Sequence, residues 1–298
     1  MKKPKKSRFP LRLLAFVGVL ACIVLLLCLL DPSILQTEYP DRLAVRYIDV
    51  GQGDAALISL PTGETMLIDA GTNDSETALL AALARYHVKK LDWAVFTHPH
   101  EDHIGGADAV LSRYRIDNIL MPEADMESST ADRLFSAVEQ ENAAVFVSRT
   151  GDSYQIGDAS FTVLSSPEAP DDSVNEQSIV LRFDYLETSF LFTADAGADA
   201  EEAMLSAFPP EALKADVLKL GHHGSSTGTT DAFLDTVSPS FAVISCGKHN
   251  EYGHPHRETL EKLKERGIPV YRTDTDGTVS VFSDGKQLLF RTEYSSTK

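Results

Sequence analysis

The stretch Thr97-His98-Pro99-His100-Glu101-Asp102-His103-Ile104-Gly105-Gly106 places four side chains able to bind metal within six residues. It follows the apolar run 91–96, which predicts a short buried strand because the run is compact and rich in β-forming residues. At the end of such a strand the first two histidines point the same way. The Asp-His pair follows where the backbone turns, so its side chains can reach a second ion position. Imidazole suits zinc, iron and manganese, and carboxylate favours the harder ions, so the stretch predicts a metal site.

This motif, His-x-His-x-Asp-His after an apolar strand, resembles the signature of the metallo-β-lactamase superfamily. Four further segments are similar, in the same order, to the ComEC/Rec2-like branch related to competence DNA-uptake proteins. They are Tyr-Ile-Asp-Val-Gly-Gln-Gly-Asp-Ala (47–55), Leu-Ile-Asp-Ala-Gly (67–71), Lys-Leu-Gly-His-His-Gly-Ser (219–225) and Tyr-Gly-His-Pro (252–255). The resemblance covers about residues 42–285. It implies an α/β fold, a four-layer αββα sandwich over residues 42–298, with metal-dependent hydrolase activity.

The chain has 298 residues, enough for one large domain, and its net charge of −17 is unevenly distributed. All acidic residues lie after residue 30, and removing the six cations of residues 1–12 leaves −23 for the remainder. Such an acidic body argues against a protein whose whole surface binds nucleic acid. It does not exclude a small anionic substrate, because bound divalent cations invert the local potential. Acidity that serves only solubility is an equally good interpretation.

The amino terminus has the pattern of a membrane anchor. Residues 13–30 are uncharged and mostly aliphatic, and 18 residues are just enough for a helix to cross a bilayer. The basic tail 1–12 should stay cytoplasmic, which places the linker 31–41 and the domain 42–298 outside a single-pass cell-membrane anchor. A cleaved signal peptide would have a shorter apolar core and a small-residue exit. Lipidation at Cys22 is a further alternative.

Apolar runs and turn residues predict alternating strands and helices in the body. A helix over 76–86 is expected to be capped near Ser75. The other predicted helices are 107–115, 130–141, 198–207, 230–236 and 257–266. The predicted strands include 44–50, 55–60, 65–69, 161–164, 179–183, 216–220, 241–246, 279–282 and 287–290.

Asp195 ends a predicted strand and precedes a helix, so from the residues alone a helix cap is the simpler role. The resemblance implies instead that Asp195 bridges two divalent ions, Zn²⁺ or Mn²⁺. One ion would be held by His98, His100 and Asp195. The other would be held by Asp102, His103, Asp195 and His223. In the same resemblance, Asp69 braces the metal loop without binding an ion.

Adjacent histidines at a strand end cannot both point one way, so one of His222 and His223 binds metal and the other faces substrate. The resemblance favours His223 as the ligand, and this choice stays open. It also implies that His222 and His254 act in catalysis, although Gly-His-Pro is common as a purely structural turn. Asp54 and Ser225 are candidate substrate-binding residues. The alternative for the glycine-containing loop around Asp54 is that its glycines only allow the backbone to turn.

The loop 173–178 departs from the wider superfamily, because it lacks the histidine that most members place there. The first ion would then depend on water or on Asn175. With fewer nitrogen ligands, Mn²⁺ becomes as plausible as Zn²⁺.

Two ions that share a carboxylate supply a metal-bound hydroxide near neutral pH and clamp the oxygens of a phosphodiester. The sequence therefore predicts an extracytoplasmic phosphodiesterase or nuclease that acts on DNA or a cell-envelope diester. A lactamase or thioesterase that acts on carbonyls is the second hypothesis, because one fold supports many reactions. A non-catalytic, metal-stabilised binding module is the third. The sequence gives no indication of the oligomeric state.

Overall fold

A computed structural model describes residues 39–123, 128–167 and 174–294. The described residues from Asp41 onward belong to one compact unit. Among these residues, no helix is both long enough and apolar enough to cross a bilayer. The predicted basic tail, the anchor 13–30 and most of the linker 31–41 lie outside the described residues.

The strands and helices of the described residues alternate along the chain. The strands are β1 (Leu43–Tyr47), β2 (Ala56–Ser59), β3 (Thr65–Ile68), β4 (Lys90–Val95), β5 (Arg115–Met121), β6 (Ala144–Val147), β7 (Ser153–Ile156), β8 (Ala159–Ser165), β9 (Val180–Tyr185), β10 (Thr188–Phe192), β11 (Val217–Lys219), β12 (Phe241–Ile244), β13 (Val270–Arg272), β14 (Val279–Ser283) and β15 (Leu288–Thr292). The helices are α1 (Glu76–Arg85), α2 (Glu101–Ile104), α3 (Ala107–Arg113), α4 (Ser129–Gln140), α5 (Ala198–Ala207), α6 (Pro210–Leu213), α7 (Asp231–Val237), α8 (Arg257–Glu265) and α9 (Thr273–Asp276).

The strands form two sheets. The first has the order β15-β14-β1-β2-β3-β4-β5-β6, and the second has the order β13-β12-β11-β10-β9-β8-β7. In each sheet, antiparallel hairpins lead into a parallel run, β3 to β6 in the first sheet and β10 to β13 in the second. Because the carboxyl ends of parallel strands meet at one edge, the loops that follow them are gathered there.

Side chains alternate between the two faces of each strand and so divide the core into three parts. In β2, Ile58 packs between the sheets together with Phe161 and Phe183. Its neighbour Leu57 faces outward and packs with Leu79 of α1 and with residues of α3 and α4. On the far side, residues of the second sheet pack against α5, α7 and α8. The layers are therefore helix, sheet, sheet and helix, which confirms the predicted α/β fold with two sheets.

Some local predictions were wrong. Ser75 does not cap α1 with its side chain; Thr72 accepts a hydrogen bond from the Ser75 amide one turn earlier. The backbone turn predicted at the Asp-His pair is present, however, as the helical turn α2. The strand β7 and the helix α6 were not predicted, because neither carries a long apolar run.

Candidate metal centre

Four side chains meet at the carboxyl edge of both sheets and are called here the inner group: Asp102, His103, Asp195 and His223. Their ligand atoms lie within 4.8 Å of one another. The Nε2 atom of His223 lies 3.0 Å from Oδ2 of Asp102 and 3.4 Å from Oδ1 of Asp195. Nε2 of His103 lies 3.2 Å from the same Asp195 oxygen. Two nitrogens and two carboxylates thus surround one point, which is the ligand number of a tetrahedral zinc site; manganese would need further ligands such as water.

The outer group consists of His98, His100 and Asp195. Nε2 of His98 lies 3.1 Å from Nδ1 of His100 and 3.8 Å from Oδ2 of Asp195. His98 is buried, whereas His100 is partly exposed. Nε2 of His222 lies 3.7 Å from the same Asp195 oxygen. The structure therefore brings a second set of nitrogens to the other side of one carboxylate.

Asp195 joins the two groups, because its Oδ1 faces the inner group and its Oδ2 faces the outer group. Burial alone would raise the pKa of this carboxyl. His223, His103 and His98 more than offset burial and lower the pKa well below its ordinary value. Asp195 is therefore a carboxylate at all working pH values.

The donor set can be tested for metal binding on its unsatisfied atoms. Nε2 of His103 and Oδ1 of Asp195 are buried and make no hydrogen bond, although they lie 3.2 Å apart. A buried polar atom without a partner costs about 1–3 kcal/mol, so such atoms seldom persist without a function. Both atoms are oriented toward the centre of the inner group. The residues present therefore fit a divalent cation.

Comparison with known proteins also points to a metal-binding protein. The family model of the metallo-β-lactamase superfamily matches residues 48–249. The chain belongs to the metallo-β-lactamase superfamily. Within it, the chain is 34% identical over 284 residues to ComE operon protein 3 of Bacillus subtilis, covering 89% of this chain and 36% of that protein. It is 30% identical over 289 residues to Recombination protein 2 of Haemophilus influenzae, and this match covers 94% of this chain and 34% of that protein.

These relatives confirm the predicted resemblance to the ComEC/Rec2-like branch. The chain spans about a third of the length of the curated relatives it matches. Among solved structures, the metallo-β-lactamase fold protein YhfI from Bacillus subtilis is similar with a TM-score of 0.51 at 14% identity. That likeness covers 84% of this chain and 99% of YhfI, and it supports the superfamily fold alone.

Asp69 contacts the superfamily motif at Thr97 and at one of its histidines, His103. One Asp69 oxygen accepts from the Thr97 amide at 2.8 Å, and the other accepts from the Thr97 hydroxyl at 2.7 Å. The second oxygen also lies 2.8 Å from Nδ1 of His103. Because Nδ1 donates to this carboxylate, Nε2 is left as the metal-facing atom. Asp69 therefore lies where the predicted brace should lie.

In the ion-free site, His103 and His223 carry protons. Burial lowers the pKa of both rings, but neighbouring carboxylates outweigh it. Asp195 and Asp69 raise the pKa of His103 well above its ordinary value. Asp195, Asp102 and Asp54 raise the pKa of His223 to about 10. For His98, burial and the neighbouring His103 lower the pKa well below the usual range, so that ring is neutral.

The loops that carry these ligands adopt left-handed backbone conformations at residues that are not glycine. Asp69, Ala194, His222 and His223 have φ values of 58°, 44°, 47° and 55°. Each such residue costs about 1–2 kcal/mol, and such strain is concentrated at functional sites. The two successive histidines turn the chain sharply, so His223 points into the inner group while His222 reaches Asp195 from the outer side. This placement accords with the choice of His223 as the metal-facing ring.

His222 and His254 form the rim of the site, with ring centroids 5.3 Å apart, and His254 is itself buried. The side chain of His222 is 25% exposed, and burial lowers its pKa. Burial and the neighbouring His223 and His222 lower the pKa of His254 to about 4. Both rings are therefore neutral at pH 7. A neutral ring can offer an N–H or accept a proton.

Three other predicted residues lie nearby in different environments. Asn175 approaches Nδ1 of His222 at 3.5 Å, next to the outer group. Ser225 is buried, and its hydroxyl accepts from the Thr227 amide and hydroxyl instead of facing solvent. Asp54 is also buried and is paired with the Lys219 ammonium. Both locations differ from the substrate-facing positions that the sequence suggested.

Lys219 was not identified from the sequence, although a lysine in the apolar strand β11 was a usable signal. Ser178 and Ser245 were also missed. The Ser178 hydroxyl lies 3.4 Å from Nδ1 of His98 and accepts from the Asp195 amide at 3.2 Å. Nδ1 of His223 donates to the Ser245 carbonyl at 3.0 Å. Such contacts depend on the tertiary fold and leave no local pattern.

Proposed function

We propose that this protein is a metal-dependent phosphodiesterase or nuclease. The observation that carries the proposal is the position of Asp195, whose two oxygens face two separate sets of nitrogen ligands. A carboxylate shared in this way suits two neighbouring divalent ions, Zn²⁺ or Mn²⁺. The inner group would hold one ion. His98, His100 and Asp195 would hold the other, with Asn175 and His222 beside it.

Two divalent ions, when bound, lower the pKa of water and offset the charge that develops on the attacking and leaving oxygens of a diester. The protein's own rim residues would then bind and orient the substrate. We propose that His222 and His254 contact the phosphoryl oxygens or the leaving group through neutral ring N–H groups, since both rings are uncharged at pH 7.

The charge of the site supports an anionic substrate. The carboxylates of Asp54, Asp69, Asp102 and Asp195 are accompanied by one ammonium, that of Lys219. Two divalent ions would bring four positive charges to these four carboxylates and one ammonium, so the loaded site would not repel anions as the acidic body does. Such a site suits the charge of a phosphodiester.

DNA is the proposed substrate class, with small envelope diesters as the competing one. The names of the relatives, Recombination protein 2 and Competence protein ComA, point toward DNA. Tyr252 adds a structural reason: it is 67% exposed and stacks on His254 with centroids 5.5 Å apart. Its open face is a suitable platform for a nucleobase, because base–aromatic stacking contributes about 1–3 kcal/mol per base.

We further propose that residues 13–30 anchor the chain in the cell membrane with the hydrolase domain outside. The test is fractionation of cells that express the full chain, followed by protease treatment of intact cells or spheroplasts. Protein that stays in the membrane after a carbonate wash and is digested from outside supports the proposal. Release by the wash, or protection from external protease, contradicts it.

The reaction class is tested with the full chain, stripped of metal and reloaded with Mn²⁺ or Zn²⁺. Substrates are bis(p-nitrophenyl) phosphate, single-stranded DNA, nitrocefin and a thioester. Asp102→Ala and His223→Ala remove inner-group ligands. Tyr252→Ala and Tyr252→Phe separate stacking from chemistry, because bis(p-nitrophenyl) phosphate has no neighbouring bases.

Phosphodiester cleavage that both ligand variants abolish is the expected result. A rise in KM for DNA with Tyr252→Ala, but not with Tyr252→Phe, would favour DNA over envelope diesters. Cleavage of nitrocefin or thioester in place of both phosphodiesters would replace the proposal with the carbonyl-hydrolase alternative. Metal binding without turnover on any substrate would favour a binding module.

A further inference from the structure

A buried ion pair lies directly behind the inner group and joins the two sheets. Asp54 belongs to the loop between β1 and β2 of the first sheet, and Lys219 ends β11 of the second. Asp54 is 6% exposed and Lys219 is 3% exposed. The Lys219 ammonium contacts Oδ2 of Asp54 and donates to the Ala194 carbonyl at 3.2 Å. Neither side chain reaches the open rim of the site.

Asp54 touches three of the four inner residues. Its Oδ1 lies 3.4 Å from Nδ1 of His223, and its Oδ2 lies 3.9 Å from Nδ1 of His103. Its amide donates to the Asp102 carbonyl at 3.0 Å. A side chain at the preceding Gly53 would lie 2.4 Å from that carbonyl, so only glycine permits this approach.

Lys219 supports the fourth inner residue through the backbone. The Ala194 carbonyl, which accepts from the ammonium, immediately precedes Asp195 in the chain. The same carbonyl accepts from the His222 amide at 2.8 Å. The Thr193 hydroxyl in turn donates to the Lys219 carbonyl at 2.7 Å. The ion pair is thus bonded to the two second-sheet loops that carry Asp195 and His223.

The carboxylates behind the inner group do not form a further metal site. Asp54, Asp69 and His103 have the spacing of one, since their ligand atoms lie within 4.8 Å of one another. The Lys219 ammonium is already in contact with Asp54, however, and a divalent ion in that place would be repelled by it.

We infer, on the basis of the proposed metal binding, that Asp54 and Lys219 are positioning residues for the inner group. The pair holds the His103 and His223 rings in register across the two sheets. A buried ion pair contributes little net stability compared with an apolar pair of similar volume, so a role in fixing geometry accounts better for its retention here. Residues that orient ligating rings change metal affinity about 10- to 100-fold when substituted.

The test uses the full chain in a His100→Ala background, which disables the outer group so that one ion-binding step remains. Metal-free protein is titrated with Co²⁺, and its visible absorption spectrum and affinity are recorded together with the melting temperature. The substitutions are Asp54→Asn, Lys219→Met, Lys219→Arg and the uncharged double variant Asp54→Asn/Lys219→Met. Asp184→Asn is the matched control, because it breaks the Arg182–Asp184 ion pair within β9.

We expect Co²⁺ affinity to fall about 10- to 100-fold in both neutralising single variants, with an altered Co²⁺ spectrum. The double variant should recover most of the melting temperature that the single variants lose, but not the Co²⁺ affinity. Lys219→Arg should have the melting temperature and the Co²⁺ affinity of its parent. The control should bind Co²⁺ like its parent. If a single variant does not fold, the Co²⁺ affinity of the double variant, compared with that of its parent, tests the inference.

A double variant with the parental Co²⁺ affinity and spectrum would show that the pair serves stability alone and would overturn the inference. A parent that binds no Co²⁺ would overturn both the inference and the proposed metal site. Tight Co²⁺ binding by this parent, together with no cleavage of any substrate by the metal-loaded chain that retains His100, would remove the proposed reaction only, because the affinity readout does not depend on turnover.

Discussion

The inner and outer groups share Asp195 but are built differently. Both rings of the inner group have their Nδ1 atoms fixed, His103 by Asp69 and His223 by the Ser245 carbonyl. In the outer group, His98 has only the hydroxyls of Thr97 and Ser178 near its Nδ1, and His100 is partly exposed. Ligands that are preoriented bind more tightly than ligands that must be ordered on binding. The inner group should therefore bind its ion first and more tightly.

The largest change should come from Asp195→Asn, which removes the one carboxylate that the two groups share. An amide oxygen keeps the shape but loses the charge, so ion content should fall below one per chain. Turnover should drop about a thousandfold, since bound ions contribute several kcal/mol and each 1.36 kcal/mol is tenfold in rate. Metal analysis after gel filtration, with phosphodiesterase assays, measures both effects. An ion content that stays at two per chain would contradict the shared role.

The ion affinities of the two groups should also depend differently on pH. Because carboxylates raise the pKa values of His103 and His223, an ion that enters the inner group must displace two protons. Its apparent affinity should therefore fall more steeply as the pH falls than that of the outer group, by up to about tenfold per pH unit for each displaced proton. His98 is already neutral and releases none. Calorimetry in buffers of different ionisation enthalpy counts the protons. Equal pH slopes for the two steps would refute this difference.

The regularity of the apolar strands is why most of the fold could be predicted from the sequence. Strands β4 and β10 each end in three consecutive apolar residues, and the helix predicted over 198–207 has the observed bounds. The strand β7, Ser153–Ile156, was missed because most of its residues are polar and only Ile156 is buried. Periodicity reports burial, so a strand with little burial leaves little trace.

The residues of the candidate site also differ in whether the sequence alone could reveal them. His98, His100, Asp102 and His103 are close in sequence, so their proximity in space followed from local spacing. Asp54 and Lys219 are separated by 165 residues, and only the assembled sheets reveal that they are paired. The left-handed backbone at Ala194 and His223 was equally hidden, because sequence rules expect glycine there.

Asp69→Asn tests how much the inner group depends on its support. The amide has one acceptor oxygen in place of two, so it cannot serve the Thr97 amide, the Thr97 hydroxyl and His103 together, and we expect about 10- to 100-fold weaker inner-group binding. Unfolding free energy should fall by about 1–3 kcal/mol from the unsatisfied buried groups. Asp216→Asn is the control, because Asp216 accepts from the Ser189 amide and hydroxyl in the same way, away from the ligands. Equal effects of the two variants on Co²⁺ affinity would assign Asp69 a purely structural role.

Ser178→Ala should give the smallest effect and act on the outer group. The variant removes the hydroxyl beside His98 and the acceptor for the Asp195 amide, a loss of about 0.5–1.5 kcal/mol per hydrogen bond. The second Co²⁺ step should weaken about 3- to 10-fold, and the first step should change less, because Asp69 and the Ser245 carbonyl still hold the inner rings. Ser166→Ala removes a similar buried hydroxyl, bonded to Ser148 instead of a ligand, and should leave both steps unchanged. If Ser178→Ala weakened the first step more than the second, the outer group would not be the less supported of the two, and the order of binding inferred from the geometry would have to be reversed.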